Sequence, residues 1–414
     1  MSTEGRCLSA KAALCGIEVL TATGKMLSGK AHGMKKLRIG ILFGGRSGEH
    51  EVSLLSAASV LEAIDRKKYE VVPIGITKEG HWVTGEAAEQ LLHSKGAKLG
   101  KPAKLVKANA VVLPPTPDKR GQARIVPFER ASRAGEPLSL DVIFPVLHGT
   151  FGEDGTMQGL FDLAGVAYVG SGVLGSATGM DKDIMKRLFA SANLPLTRHL
   201  TFLRPDWEKS PRKMVAQIEA NLPYPLFIKP ANLGSSVGIS KAHDRKELKA
   251  AIELAAGYDR KIVVEQGVGG KRGKAREFEV AVLGNDHPEA SVVGEIVPGK
   301  EFYDYEDKYL IAGSVPIVPA PLSKAESTQI REMAIAAFRA CDCAGLGRVD
   351  FLREPGANGR VYVNEINTMP GFTAISMYPK MWEASGLPYP ALIDRLIQLA
   401  RERWAEHERN RYSR

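Results

Sequence analysis

The chain has 414 residues, 44% of them hydrophobic and 25% charged, with a formal net charge of +9. That length predicts two or three domains, and the apolar share is enough to build true cores, which excludes wholesale disorder. No apolar run approaches the roughly 18 residues that a membrane helix needs, so no membrane span is predicted.

Residues 1–33 are rich in Ala, Gly, Ser and Lys and carry no strand pattern. The stretch Leu8–Leu20 is broken by Lys11, Gly16 and Glu18, so it is a poor signal-peptide core. A disordered or mis-assigned leader ending before Met34 is expected, with a targeting role as the minor alternative. From Leu37 the rhythm changes. Leu37–Phe43 reads as a strand, Glu51–Ile64 as a helix and Glu70–Thr77 as a strand, a βαβ order that implies a helix-covered parallel sheet. Residues 84–137 are rich in Lys, Pro and Gly and read as a peripheral elaboration. Asp141–Leu147 resumes as a strand ending at His148-Gly149. Ligands in open α/β sheets sit beyond the carboxyl ends of strands, so the loops after Phe43 and Leu147 should line one cleft.

A helix follows Met180-Asp181-Lys182. Pro223–Lys229 then reads as a strand running into a glycine turn, and Lys261–Glu265 as another strand. Glu277–Leu283, Gly347–Leu352 and Val361–Asn367 alternate polar with apolar residues, which predicts a mostly antiparallel sheet. The expected organisation is α/β: a leader at 1–33, a parallel-sheet domain at 34–180, and two further units at 181–265 and 266–414. Cys341 and Cys343 have no second pair and no nearby His, so they read as thiols packed as small hydrophobes rather than as a zinc site. The basic residues are interleaved with acidic ones and no nucleic-acid module is evident. The positive charge therefore points to a phosphate-bearing small ligand and not to nucleic acid.

Five clusters carry chemistry. Gly44-Gly45-Arg46-Ser47-Gly48-Glu49 joins a strand to a helix start and offers free N–H groups; Glu49 there either binds an amine or caps the helix. His148-Gly149 with Gly152-Glu153-Asp154-Gly155 forms a cleft rim, although a lone His is usually structural. In Lys229-Pro230-Ala231-Asn232-Leu233-Gly234-Ser235-Ser236-Val237-Gly238, small residues after a strand let N–H groups wrap a phosphate beside a lysine; on its own such a turn is more often only a turn. Tyr303-Asp304-Tyr305 with Lys308-Tyr309 fits either a lid or a tyrosine-packed crossover. Last, alternate residues of a strand share a face, so Arg348 projects with Asp350, and Glu365 with Asn367. These hard oxygen donors suit Mg²⁺; the alternative is a polar face neutralised by Arg348.

In their order and company these blocks, together with Asn364-Glu365-Ile366-Asn367-Thr368-Met369-Pro370-Gly371, closely resemble the D-alanine–D-alanine ligase family from about Met34 to the last helix. The resemblance implies an ATP-grasp fold, in which two domains behind an N-terminal parallel-sheet domain grip ATP between antiparallel sheets. It implies ligation of two D-alanines through a D-alanyl phosphate for peptidoglycan precursor synthesis, by a cytoplasmic homodimer. By resemblance, Lys182 and Lys229 hold ATP phosphates, Glu265 and Val268 flank the adenine, and Glu277 meets the ribose. Asp350, Glu365 and Asn367 look like ligands of two Mg²⁺ or Mn²⁺ ions, while Arg348 and the N–H of Gly371 stabilise an oxyanion. Glu49 takes the ammonium of the first D-alanine, with His148 near its carboxylate. Ser235 and Tyr309 match residues that close the site, and Lys308 one that binds substrate. Ser376 and Met377 stand where the second D-alanine's carboxylate is expected, Met377 replacing a frequent leucine, and Gly269–Ala275 is longer and more basic than usual. The rivals are a D-alanine–D-lactate ligase, which lacks the Tyr-Asp-Tyr lid; another ATP-grasp ligase, which has no need of Glu49; and a non-catalytic nucleotide-binding protein, which would have lost Arg348 or a carboxylate.

Overall fold

A strand that is apolar on both faces has to lie inside a sheet. Leu37–Gly44 (β1) does so: Ile39, Ile41 and Phe43 enter one core and Leu42 another. The computed structural model describes residues 36–93, 109–117, 123–128, 137–234, 236–269, 273–297, 314–356 and 358–411. The leader expected at 1–33, Ser235 and the aromatic loop with Lys308 and Tyr309 lie outside these residues.

From β1 the chain passes through helix α1 (His50–Ala63) to β2 (Tyr69–Ile76). It continues through β3 (Trp82–Val83), α2 (Gly85–His93), β4 (Ala110–Val112), β5 (Arg124–Pro127) and β6 (Leu138–Ser139) to β7 (Val142–Val146). Helix α3 (Thr156–Ala164) and β8 (Ala167–Tyr168) close the unit. The sheet order is β6-β5-β4-β3-β2-β1-β7-β8. β2 and β7 flank β1 and run parallel to it, whereas β3 to β6 add antiparallel pairs at one edge. The elaboration expected between 84 and 137 is the source of that edge. The chain leaves β1 toward β2 on one side and returns as β7 on the other, so the loops after β1 and β7 open at the switch point.

Helices α4 (Val173–Met180) and α5 (Lys182–Ser191) lead onward. Asp181 caps α5, its carboxylate accepting from the N–H groups of Asp183 and Ile184 at 3.0 and 3.1 Å. A four-stranded antiparallel sheet follows: β9 (His199–Leu203), α6 (Arg204–Lys209), α7 (Pro211–Asn221), β10 (Leu226–Pro230), β11 (Ser240–Ala242), α8 (Arg245–Tyr258) and β12 (Lys261–Gln266). Its order is β11-β10-β12-β9, with α7 and α8 covering Leu226, Ile228, Ile262 and Val264. The strand expected from Pro223 pairs only from Leu226, since Pro223 and Pro225 have no N–H for a ladder.

The last sheet takes β13 (Arg276–Gly284), β14 (Glu289–Val297), β15 (Val315–Ile317), then helix α9 (Lys324–Ala340), β16 (Gly345–Arg353) and β17 (Val361–Asn367), before helices α10 (Met377–Ala384) and α11 (Tyr389–His407). It is antiparallel throughout, in the order β15-β14-β13-β16-β17. Phe278, Val280, Val282, Val349 and Phe351 pack on α9 and also on Met185 and Phe189 of α5. Cys341 and Cys343 are free and buried in this core, where burial pushes the Cys341 thiol up to about 12. On the opposite face, Ala281, Leu283 and Leu346 join α10, α11 and the parallel sheet in one core. The rest of that face carries Glu277, Glu279, Arg348 and Asp350, and its polar side chains face the four-stranded sheet across a crevice.

Candidate active site

Strand parity decides what this crevice contains. In β17, Val361 and Val363 point into the α9 core, so strict alternation would carry Glu365 and Asn367 into it as well. The structure prevents this with a β-bulge. Phe351 pairs with Val363, but Asp350 pairs with Glu365, leaving Asn364 as the extra residue. Beyond the bulge Ile366 takes the core side, while Glu365 and Asn367 turn to the cleft. Asp350 thus stands opposite Glu365, and Arg348 opposite Asn367. The bulge sets these four residues side by side on two neighbouring strands, by a device that alternation alone does not contain.

Glu279 on β13 pairs with Asp350 in register, so three carboxylates form a row across β13, β16 and β17. Arg348 lies over two of them. Its Nε and Nη2 donate to Asp350 at 2.7 and 2.6 Å, and Nε stands 3.4 Å from Glu279. Of the two readings of this polar face, metal ligands or neutralisation by Arg348, the structure shows the second at Asp350. Among the described residues no three His, Cys, Asp or Glu side chains already converge as a cation site. The donor set itself, two carboxylates and an amide oxygen on neighbouring strands, fits a hard divalent cation.

The lysines approach from the other wall. Lys182 opens α5, donates to the carbonyl of Leu233 at 2.7 Å and lies 3.8 Å from Glu365. Lys229, at the end of β10, is 3.4 Å from Asn364 Oδ1 and 3.2 Å from Glu265. Lys186, one helical turn beyond Lys182, is fully buried and reaches the other oxygen of Glu265 at 3.2 Å and the Asn364 carbonyl at 3.4 Å. Burial alone would raise the Glu265 carboxyl, but the two ammonium groups outweigh it and hold it at about 2. The Glu265 side chain is therefore spent on this pair of lysines, and what it presents to the crevice is the backbone of β12. Val268 and Glu277 line the same crevice, a space of about 120 Å³.

The N-terminal loops supply the remaining wall. Glu49, just before α1, is buried, and its Oε2 is enclosed by two glycines. A Cβ on Gly149 would come within 2.7 Å of it and one on Gly234 within 2.6 Å. Gly149 also holds φ +74, a conformation that favours glycine. The glycine turn after β10 thus touches the loops after β1 and β7. His148 is hydrogen-bonded through both ring nitrogens. Its Nδ1–H donates to the Met369 carbonyl at 2.9 Å, and Nε2 accepts from the Ser56 hydroxyl at 3.1 Å. Ser56 in turn accepts from the Phe372 N–H at 3.3 Å. Burial lowers the His148 pKa, keeping the ring neutral. Both nitrogens are committed, so His148 braces the 369–372 loop from behind.

Gly371, Ser376 and Met377 line a larger cleft of about 510 Å³ with Lys182, Gly234, Arg348, Glu365 and Asn367. Ser376 Oγ accepts from the Thr373 N–H at 3.2 Å. Lys186 and Glu279 stand in no motif of the sequence, while Glu153 and Asn364 stand within the cleft-rim and Asn364–Gly371 blocks without an assigned role. Glu279 is within reach of the alternation argument, being two residues from Glu277. Lys186 is within reach of helical spacing from Lys182. The roles of Asn364 and Glu153 are not legible in this way, because a bulge and a buried backbone acceptor leave no periodic trace.

A carboxylate-lined antiparallel sheet facing a lysine on a second antiparallel sheet and another at a helix start, behind a parallel-sheet domain, defines the ATP-grasp class of nucleotide-dependent enzymes. Residues 38–171 match the family described as D-ala D-ala ligase N-terminus, and residues 188–398 the family described as D-ala D-ala ligase C-terminus. The chain belongs to the D-alanine–D-alanine ligase family. It is 50% identical over 377 residues to a D-alanine–D-alanine ligase from Natranaerobius thermophilus, an alignment covering 91% of this chain and 98% of that protein. Among solved structures it is similar to the VanG D-Ala:D-Ser ligase from Enterococcus faecalis, with a TM-score of 0.74, 38% identity and coverage of 88% of this chain and 100% of that one. It is similar also to the D-alanine–D-alanine ligase from Coxiella burnetii, with a TM-score of 0.73, 36% identity and coverage of 90% and 96%.

Proposed function

We propose that this protein joins two molecules of D-alanine to D-alanyl-D-alanine at the expense of ATP, supplying a dipeptide for peptidoglycan precursors. The observation that carries the reading is the convergence of both phosphate-type lysines on the carboxylate strand: Lys182 lies 3.8 Å from Glu365, and Lys229 lies 3.4 Å from Asn364. Family membership supports it. In the first step a carboxylate oxygen of one D-alanine attacks the γ-phosphorus of ATP; the O–P bond forms, the β–γ bridge breaks and ADP leaves. In the second, the free amine of the other D-alanine attacks the acyl carbon. The C–O bond to phosphate then breaks, inorganic phosphate departs and the nitrogen gives up a proton.

Each residue has a place in that sequence. Lys182 and Lys229 hold ATP phosphates, Glu265 and Val268 flank the adenine, and Glu277 meets the ribose. Glu49 takes the ammonium of the first D-alanine at the switch point, and Arg348 with the Gly371 N–H faces the oxyanion. Ser376 and Met377 receive the second carboxylate, Lys308 binds substrate, and Ser235 and Tyr309 close the site so that water does not intercept the acyl phosphate. Asp350, Glu365 and Asn367 would hold Mg²⁺ or Mn²⁺, which when bound spreads the charge of the transferring phosphoryl group; Arg348 has to leave Asp350 for that. The division at 34–180, 181–265 and 266–414, a cytoplasmic location and a homodimer complete the proposal. Among the described residues no helix is long and apolar enough to cross a membrane.

The test is phosphate release with ATP and Mg²⁺ across D-alanine, D-serine and D-lactate, with the product identified by mass. D-alanyl-D-alanine as the preferred product is expected at neutral pH. Preference for D-lactate or D-serine as the second substrate would overturn the assignment.

A further inference from the structure

Glu153 is a buried carboxylate on the wall of the large cleft with no part in the ligation steps. Both its oxygens accept from backbone. Oε1 takes the Gly149 N–H at 2.8 Å and Oε2 the Met369 N–H at 3.2 Å. The first donor belongs to the glycine pressed against Glu49; the second lies two residues before Gly371. His148, from the same loop, holds the other side of Met369 through its carbonyl. One short turn, from His148 to Glu153, therefore grips a single residue of the facing loop by both its backbone polar groups.

The Met369 N–H is shared. It also stands 3.2 Å from Asn367 Oδ1, the amide oxygen assigned to a metal. An acceptor that holds the N–H independently leaves Asn367 Oδ1 available without loosening the loop. The residue type suits that role. Two N–H donors converge, and a carboxyl group presents an acceptor lone pair on each oxygen in either protonation state, whereas a Gln side chain presents an N–H₂ to one of them. A group that merely filled the space would not need a buried carboxylate, which is costly to desolvate.

We infer that Glu153 is a positioning residue that fixes the oxyanion loop 369–371 to the loop 148–149 packed against the ammonium-binding Glu49, so that the attacked carbonyl and the first amine are held by one rigid unit. This rests on the ligase reading of the cleft. The variant Glu153→Gln keeps shape and removes one acceptor. Its kcat should fall by about 10- to 100-fold, the range for loss of a supporting hydrogen bond behind a functional group, with KM for ATP unchanged and no lowering of the thermal midpoint at neutral pH. Affinity for a phosphinate dipeptide analogue, whose tetrahedral phosphorus imitates the attacked carbon, should fall in the same proportion as kcat. A kcat equal to wild type, or a loss matched in ATP affinity and thermal midpoint, overturns the positioning role. Hydrogen exchange reads the clamp without turnover: the Gly149 and Met369 amides should exchange about tenfold faster in the variant, and unchanged rates overturn the clamp. A wild-type protein that releases no phosphate with D-alanine overturns the ligase reading instead, and the exchange measurement still decides for or against the clamp.

Discussion

The two walls of the cleft are held in place by different means. On one side Glu277, Glu279, Arg348, Asp350, Glu365 and Asn367 stand on strands whose opposite face is packed core. Ladder hydrogen bonds and buried neighbours fix their backbones, and the side chains act from a rigid plane. On the other side Glu49, Gly149 and Glu153 sit in loops at the ends of β1 and β7, fixed by a few polar contacts and by glycines too close to tolerate a side chain. Changes on the first wall should therefore remove chemistry and leave geometry, while changes on the second should move groups that remain chemically intact.

The largest effect should come from the rigid wall. Arg348→Ala deletes the cation that faces the developing oxyanion, and loss of one such donor costs on the order of 10²–10³ in kcat. Arg348 pairs with Asp350 and Glu279 and not with the nucleotide lysines, which carry its own charge, so ATP affinity measured by calorimetry should stay within a few-fold. Parallel collapse of turnover and ATP binding would show that Arg348 organises the wall instead of acting from it.

Next is the joint between the sheets. Lys186→Met strands Glu265, a fully buried carboxylate, with Lys229 as its remaining cation. Breaking a buried ion pair from one side typically costs roughly 3–5 kcal/mol, and the remaining Lys229 should keep the loss near the lower end. Urea unfolding measures it, and KM for ATP should rise because Glu265, left with Lys229, draws that ammonium away from Asn364 and from the phosphate position. A variant as stable as wild type would mean that Glu265 finds another partner.

The loop wall should respond differently. In Gly149→Ala a methyl group meets Glu49 at 2.7 Å, and φ +74 is unfavourable for any residue with a Cβ. Glu49 must shift, so KM for the first D-alanine should rise about tenfold, a loss of roughly 1.4 kcal/mol of binding, with kcat less affected. A fall in kcat alone would place the disturbance at the oxyanion loop and not at the ammonium site.

The same contrast governs what the sequence discloses. Period-two alternation names a strand face wherever the opposite face is apolar, which is why Arg348 with Asp350 and the long antiparallel strands are legible. It also misleads at a bulge, since Glu365 shares the parity of Val361 and Val363 and reaches the cleft only because Asn364 is inserted. The loop residues are legible as motifs through their resemblance to a family, yet their contacts are not. His148, which the family resemblance sets near the first carboxylate, is hydrogen-bonded at both nitrogens, to the Met369 carbonyl and the Ser56 hydroxyl, 221 and 92 residues away in sequence, and no local pattern announces those contacts. Glu265 is the corresponding case among strands: its place beside the adenine follows from the family resemblance, and the buried Lys186 that shares its charge does not.

The last effect expected is a pH dependence of stability, and it bears on the loop wall alone. Burial, helped by the charge of Glu49 and partly offset by the N–H groups of Gly149 and Met369 and by Lys182, raises the Glu153 carboxyl from 4.5 to about 8. Between those values the folded chain keeps a proton that the unfolded chain releases. This contribution to stability is complete below about pH 4.5 and is lost as pH rises through about 8. Wild type should accordingly lose more stability between pH 5 and pH 8 than Glu153→Gln, which has nothing to titrate there; urea midpoints of both at the two pH values give the slopes. Saturating D-alanine should flatten the wild-type slope, since its ammonium offsets the Glu49 charge that helps hold the proton on Glu153. Equal slopes in variant and wild type would mean that Glu153 is ionised throughout. The clamp would then stand as a carboxylate between two N–H donors, and the pH dependence would have to originate on the other wall.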